Sequence, residues 1–209
     1  MIVPNTASER RLDGIVHLTG GIAAFIALPA LLVAVVTARD PQAIVAAVVY
    51  CAGVAAMLGF SAAFNLAHPE RRETLRSYDH AAIFVMIAGT YTPIALVGLG
   101  GEAGHGLLLV VWGVALIGAL LKLLRPQGLE RASALPYLVL GWIGLSVADS
   151  LVVALPVSTL VLIGLGGLFY SLGVVFHVWT TLPHQNAIWH GFVLAGAACH
   201  YVAVFETLA

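Results

Sequence analysis

The chain has 209 residues, 61% hydrophobic and 9% charged, with a formal net charge of −1. Soluble domains carry about 25% charged residues, so an ordinary soluble enzyme is excluded, and the near-neutral balance gives no electrostatic basis for binding nucleic acid. Two cysteines inside apolar runs, Cys51 and Cys199, form neither a disulfide framework nor a zinc motif and read as small core hydrophobes.

A bilayer core about 30 Å thick is crossed by about 20 apolar residues of helix. Seven stretches qualify: 15–36, 42–67, 80–99, 105–124, 134–155, 157–179 and 187–208. They are continuously apolar rather than alternating, which predicts helices and not the strands of a barrel. The first exceeds the h-region of a cleaved signal peptide and reads as a retained span. Connections are short and no internal repeat is visible, so 1–209 reads as a single all-α domain, a seven-transmembrane-helix bundle.

Arg10 and Arg11 precede the first span, which carries His17 near its start and small residues in "GGIAA" suited to close helix packing. The second span ends with Ser61 and, one turn later, Asn65; His68 follows. The next connection holds Arg71, Arg72 and Arg76, and the third span opens on Asp79 and His80. In "GTYTP", Pro93 predicts a kink, with Thr90 and Thr92 re-satisfying the freed backbone groups. "GLGGEAGHG" (98–106) follows no strand and reads as a flexible turn rather than a phosphate cradle. Lys122, Arg125 and Arg131 surround the fourth-to-fifth connection. Asp149, in the fifth span, is an intramembrane acid and a functional candidate by default; Ser150 beside it, or a wet vestibule, would equally satisfy it. The sixth span contains "GLGG" and ends near His177; the seventh opens at "HQNAIWH" with His184, Asn186 and His190, and continues through "AGAA".

Eight of the nine Lys and Arg residues fall on one side of this arrangement and only Arg39 on the other. The positive-inside rule therefore predicts a cytoplasmic N-terminus and an extracytoplasmic C-terminus. The same topology brings Ser61, Asn65, Asp79, Asn186 and His190 to one depth near the inner edge, whereas His200 lies about 20 Å deeper at 1.5 Å per residue. Ionisable groups in a membrane are costly and mark sites, so Asp79 and His190 are read as functional. His17, His68 and His177, taken singly, are read as wet interface residues. A carboxylate with imidazoles is also a zinc ligand set.

"SAAFN…DHAAIFVMIAGTYTP" together with "NAIWHGFVLAGAACH" resembles the hemolysin III family, the bacterial branch of the progestin and adiponectin receptor superfamily; the likeness runs through "DGIVHLTGGIAA" and "GGLFYSLGVVFH" as well. The resemblance implies a multi-pass protein of the bacterial inner membrane. It implies zinc held by one histidine on the second helix and an H-x-x-x-H pair on the seventh. An Asp opening the third helix would hold the metal-bound water, with a Ser one turn before the first histidine. Ser61, Asp79 and His190 match, but Asn65 and Asn186 stand where two imidazoles are implied. An amide oxygen is a weak, neutral donor for zinc. Three alternatives follow: His68 and His184 substitute as ligands, another metal binds with more oxygen donors, or Asn65, Asp79, Asn186 and His190 form a metal-free hydrogen-bonded cluster. The last leads.

The sequence accordingly favours a non-enzymatic role in membrane homeostasis or sensing. The alternative is a metal-dependent hydrolase of lipid amides like the ceramidases, with Ser61 and Asp79 catalytic and His190 a ligand. A pore-forming hemolysin ranks last, since no helix carries a polar stripe along its length. Partners are membrane lipids, one of them a ligand or substrate; the oligomeric state is left open. No lysine lies in the last span, which excludes a retinal Schiff base.

Overall fold

The computed structural model describes residues 6–124 and 134–209; the connection carrying Arg125 and Arg131 lies outside them. The elements are α1 (Ala7–Ala38), α2 (Pro41–Leu66), α3 (Pro69–Pro93) continued by a π-helical segment (Ile94–Leu99), α4 (Gly101–Leu124), α5 (Ala134–Trp142), a 3-10 segment (Ile143–Val147), α6 (Ala148–Ala154), α7 (Val157–Val178) and α8 (Gln185–Leu208). With α5 and α6 as two halves of one span, seven helices are long and apolar enough to cross a membrane.

Helices begin well before the apolar runs do, and this moves polar residues from loops into helices. Thr6 caps α1: its hydroxyl accepts from the Glu9 N–H at 3.2 Å, and the Glu9 carboxylate accepts from the Thr6 N–H at 2.6 Å. This capping box satisfies two of the helix's orphan donors and sets the start at residue 7 rather than 15. Asp13 therefore lies almost two turns inside α1. Likewise α3 starts at residue 69 rather than 80, the arginine-rich connection is helical, and only Ala67 and His68 link α2 to α3. Asp79 is thus about ten residues into α3, not at its opening.

At the other end of α1, Arg39 adopts a left-handed conformation (φ 61°), and Asp40 then caps α2 by accepting from the Gln42 N–H at 2.9 Å. The expected flexible turn at 98–106 is mostly helix. Only Gly100 separates the π segment from α4, at φ 63°, a value that a Cβ would disfavour. Pro93 does not end its helix either; the chain widens into the π segment. Thr90 and Thr92 bond to the carbonyls of Met86 and Ala88 at 2.9 and 2.8 Å, each four residues back, and not to Gly89, whose usual donor the proline removes.

Each span packs on the next, and α1 closes the ring against α8; α3 also meets α5 and α8 and is the most buried of the seven. Small residues permit the close approaches. A Cβ on Gly53 of α2 would lie 3.2 Å from the Met86 backbone of α3, and one on Gly196 of α8 would lie 2.9 Å from the Tyr170 ring of α7. The break in the fifth span leaves backbone groups that lipid cannot satisfy. Tyr91 bridges it, its hydroxyl donating to the Gly141 carbonyl at 2.6 Å and accepting from the Gly144 N–H at 3.0 Å. The outer surface is apolar (Phe25, Leu109 and Val153 are exposed), whereas Asp13, Ser61, Thr90, Thr92, Lys122 and Thr159 are buried.

Candidate functional site

The site forms at the end of the bundle that carries Arg10, Arg71, Arg72 and Arg76. It is built around a residue to which the sequence reading assigned no role. Asp13, only 6% exposed, sits one helical turn before His17, so the two share a face of α1. The Asp13 carboxylate accepts from Nδ1 of His190 on α8 at 2.6 Å. Its backbone carbonyl accepts from Nδ1 of His17 at 2.8 Å. The two imidazoles meet edge to face, with centroids 4.5 Å apart.

These bonds assign the tautomers. The Asp13 carbonyl only accepts, so His17 carries its proton on Nδ1 and presents a lone pair at Nε2. Two donors from α2 reach that lone pair: Ser61 Oγ at 3.1 Å and Asn65 Nδ2 at 3.1 Å. Asn65 Nδ2 also donates to the Ser61 carbonyl at 3.0 Å, which fixes the amide orientation because the flipped form would set oxygen against oxygen. His190 commits Nδ1 to Asp13, and its Nε2 has no hydrogen-bond partner among the described residues.

Above the cluster lies a cavity of about 350 Å³. Ser61, Asp79, Trp189 and His190 form its polar end. From there it runs between α3 and the α5–α8 helices past Ile87, Tyr91 and Leu151 to Ile94. Asp79 and Ile94 are 15 residues apart, a depth of ~22 Å at the helical rise. The long wall is apolar apart from isolated groups such as Thr90, Tyr170 and His200. Tyr137 anchors α5 beside Asp79 by donating to the His80 carbonyl at 3.0 Å.

Ser61, Asp79 and His190 therefore share one cavity, and Asn65 adjoins it through Ser61. Asn186 departs from the expected cluster, making no side-chain hydrogen bond among the described residues. Neither substitute ligand joins: His68 is exposed at the start of α3. His184 takes a left-handed conformation as N-cap of α8, and its N–H donates to Glu9 at 3.2 Å. Asp149 is exposed at the start of α6, away from the site. His17, expected as an interface residue, instead sits at the centre of the network.

One ligand atom each from Asp13, His17 and His190 falls within a sphere of contacts no longer than 4.8 Å, a grouping that could hold a metal ion. The positions implied for zinc by the resemblance fit poorly, since 65 and 186 carry neutral amides, weak donors for zinc.

The family model described as "Haemolysin-III related" matches residues 6–201. The chain belongs to the haemolysin-III family. The hemolysin-3 homolog of Bacillus subtilis (strain 168) is 34% identical over 205 residues, 95% of this chain and 94% of the relative. Hemolysin-3 of Bacillus cereus is 35% identical over 191 residues, 90% and 87% of the two chains. The human monocyte to macrophage differentiation factor is 30% identical over 171 residues, 77% of this chain and 69% of the relative. These likenesses bear out the resemblance read from the DHAAI and IAGTYTP motifs, and with the seven apolar spans they establish a multi-pass haemolysin-III membrane protein.

Proposed function

We propose that this chain hydrolyses the ester or amide linkage of a membrane lipid, holding the acyl chain in the cavity and the linkage against the polar cluster. One observation carries the reading: the cluster and the apolar cavity share walls, with Ser61, Asp79 and His190 at the mouth of a space deep enough for a lipid tail. A purely structural polar lock would have no need of that space. The cytoplasmic membrane of a bacterium is the proposed location, with the cluster at the inner leaflet.

In this reading Asp79 holds a water at the cavity wall and accepts its proton as the oxygen attacks the carbonyl carbon. The Ser61 hydroxyl, whose hydrogen rotates freely, turns from His17 to donate to the developing oxyanion. The proton on Asp79 then passes to the leaving amine or alcohol, and the fatty acid is released. Asp13, His17 and His190 supply the positioned polar floor of the site.

The test is release of fatty acid from a panel of N-acyl and O-acyl lipids by the purified protein in detergent. Wild type should release it from at least one class, and Asp79→Asn should lower the rate at least a hundredfold with the melting temperature nearly unchanged. Equal rates in the two proteins would overturn the reading. A second reading, a non-enzymatic membrane sensor, is favoured by the closed bonding around His17, where every donor and acceptor is paired. Lipid that copurifies uncleaved, with no hydrolysis of any class tested, supports it. The name of the Bacillus relatives suggests lysis, but the apolar cavity wall argues against a conducting path here.

A further inference from the structure

We infer that Asp13, His17 and His190 form a divalent-cation site of the zinc type, built from α1 and α8 in place of ligands at 65 and 186. The inference rests on the hydrolytic reading for what the ion is for, but not for whether it binds.

The donor set is two imidazoles and one carboxylate, which suits zinc and leaves a fourth position open, as catalytic zinc sites require. All three ligand atoms fall within 4.8 Å of one another. Ligands of one zinc ion lie about 3–3.5 Å apart, given bonds of about 2.0–2.2 Å, so closing the site takes side-chain rotation rather than movement of helices. The floor is already set. His17 has its Nδ1 proton committed to the Asp13 carbonyl at 2.8 Å, so its lone pair is on Nε2, where an ion would displace the donors Ser61 and Asn65. A backbone-oriented ring is the usual support for a metal-binding histidine.

Asn65 gains a role from the same geometry. Its Nδ2 donates to His17 Nε2 and to the Ser61 carbonyl, so without an ion it holds the ring in place, and it gives up the bond to Nε2 when an ion takes that lone pair. The carboxylate on α1 brings the negative charge that two amides lack. When an ion takes the His17 lone pair, the Ser61 hydroxyl gives up that bond and turns to the side of Asp79, with which it also interacts, in the cavity both line, where the proposed reaction calls for a donor.

The test uses the full chain in detergent, stripped with chelator, reloaded with zinc alone and desalted. Wild type should retain about one zinc per chain. Asp13→Asn, isosteric and still able to accept from His190, should retain at least tenfold less, as should His17→Ala. Asn186→Ala should keep the wild-type amount. Cobalt loading of Asp13→Cys should add a thiolate-to-metal absorption absent from wild type, a gain of signal that misfolding cannot produce. No zinc in wild type, undiminished zinc in both Asp13→Asn and His17→Ala, or no new band in the cobalt-loaded cysteine variant would each overturn the inference. Bound zinc without hydrolysis sinks the hydrolytic reading and leaves the site standing. Hydrolysis that survives complete chelation removes the ion from the reaction, while the retention of zinc by wild type and its loss in the two variants still decide the site.

Discussion

Two carboxylates in this bundle illustrate opposite solutions to the same problem. At the end of α8 furthest from the site, Glu206 accepts from the hydroxyls of Ser158 and Thr159 at 3.0 and 2.7 Å, near the start of α7. At the basic end, Asp13 accepts from an imidazole of α8 at 2.6 Å. Glu206 is exposed and Asp13 is buried. Both hydroxyls bond one oxygen of the first carboxylate, which ties α7 to α8 in reach of solvent. An imidazole completes the second and leaves a second ring nitrogen beside a cavity. The same side-chain class is a helix tie in one place and the base of a candidate site in the other, and the partner decides which.

Asp13→Ala should show the largest effect, because it strands His190 without its partner inside the bundle. Losing a buried hydrogen bond to a carboxylate and leaving its donor unsatisfied costs about 2–3 kcal/mol, and thermal unfolding in detergent will show it. If Asp13→Ala melts with wild type, the two carboxylates do not differ as described. Asn65→Ala should come next, at about 1–2 kcal/mol, since Nε2 of His17 then keeps a single donor and one amide bond to Ser61 is lost. Thr159→Ala removes the shorter of the two bonds to Glu206 from a fully buried residue and should cost about 1 kcal/mol. Glu206→Gln should be smallest, within about 0.5 kcal/mol, because an exposed acceptor is replaced by another and water competes for both. A larger loss for Glu206→Gln than for Asn65→Ala would reverse the ranking and with it the contrast between the two ends.

Much of the fold was legible because crossing a membrane imposes it. Seven runs long enough to span, with no alternation, leave helices as the answer, and the DHAAI and IAGTYTP motifs carried the family. The convergence of Ser61, Asp79 and His190 was expected from topology alone, and all three line one cavity. What escaped was Asp13, and with it the role of His17. Hydropathy places the start of a span where the sequence turns apolar, at residue 15, which leaves Asp13 outside and His17 at the wet edge. The helix begins where its cap is, and the cap was readable as T-x-x-E at 6–9. Extending α1 to that cap puts Asp13 and His17 at i and i+4 on one face, two polar side chains that a membrane helix turns inward. Asn186 was expected in the cluster from its depth and from the histidine that the family resemblance implies there, and it makes no side-chain hydrogen bond among the described residues. The break at 143–147 depends on Tyr91 reaching across from α3, a tertiary contact with no local signature.

The central claim is that α1 and α8 meet through Asp13 and His190 to make the site. A double-mutant cycle on unfolding free energy, with Asp13→Ala, His190→Ala and the pair together, so that each single change removes the contact, tests it most directly. Together the two single losses should exceed the loss in the double variant by about 1.5–3 kcal/mol, the coupling of a close, partly buried hydrogen bond to a carboxylate. Losses that add to within about 0.5 kcal/mol would mean the two side chains do not touch, and the account of the site would be contradicted.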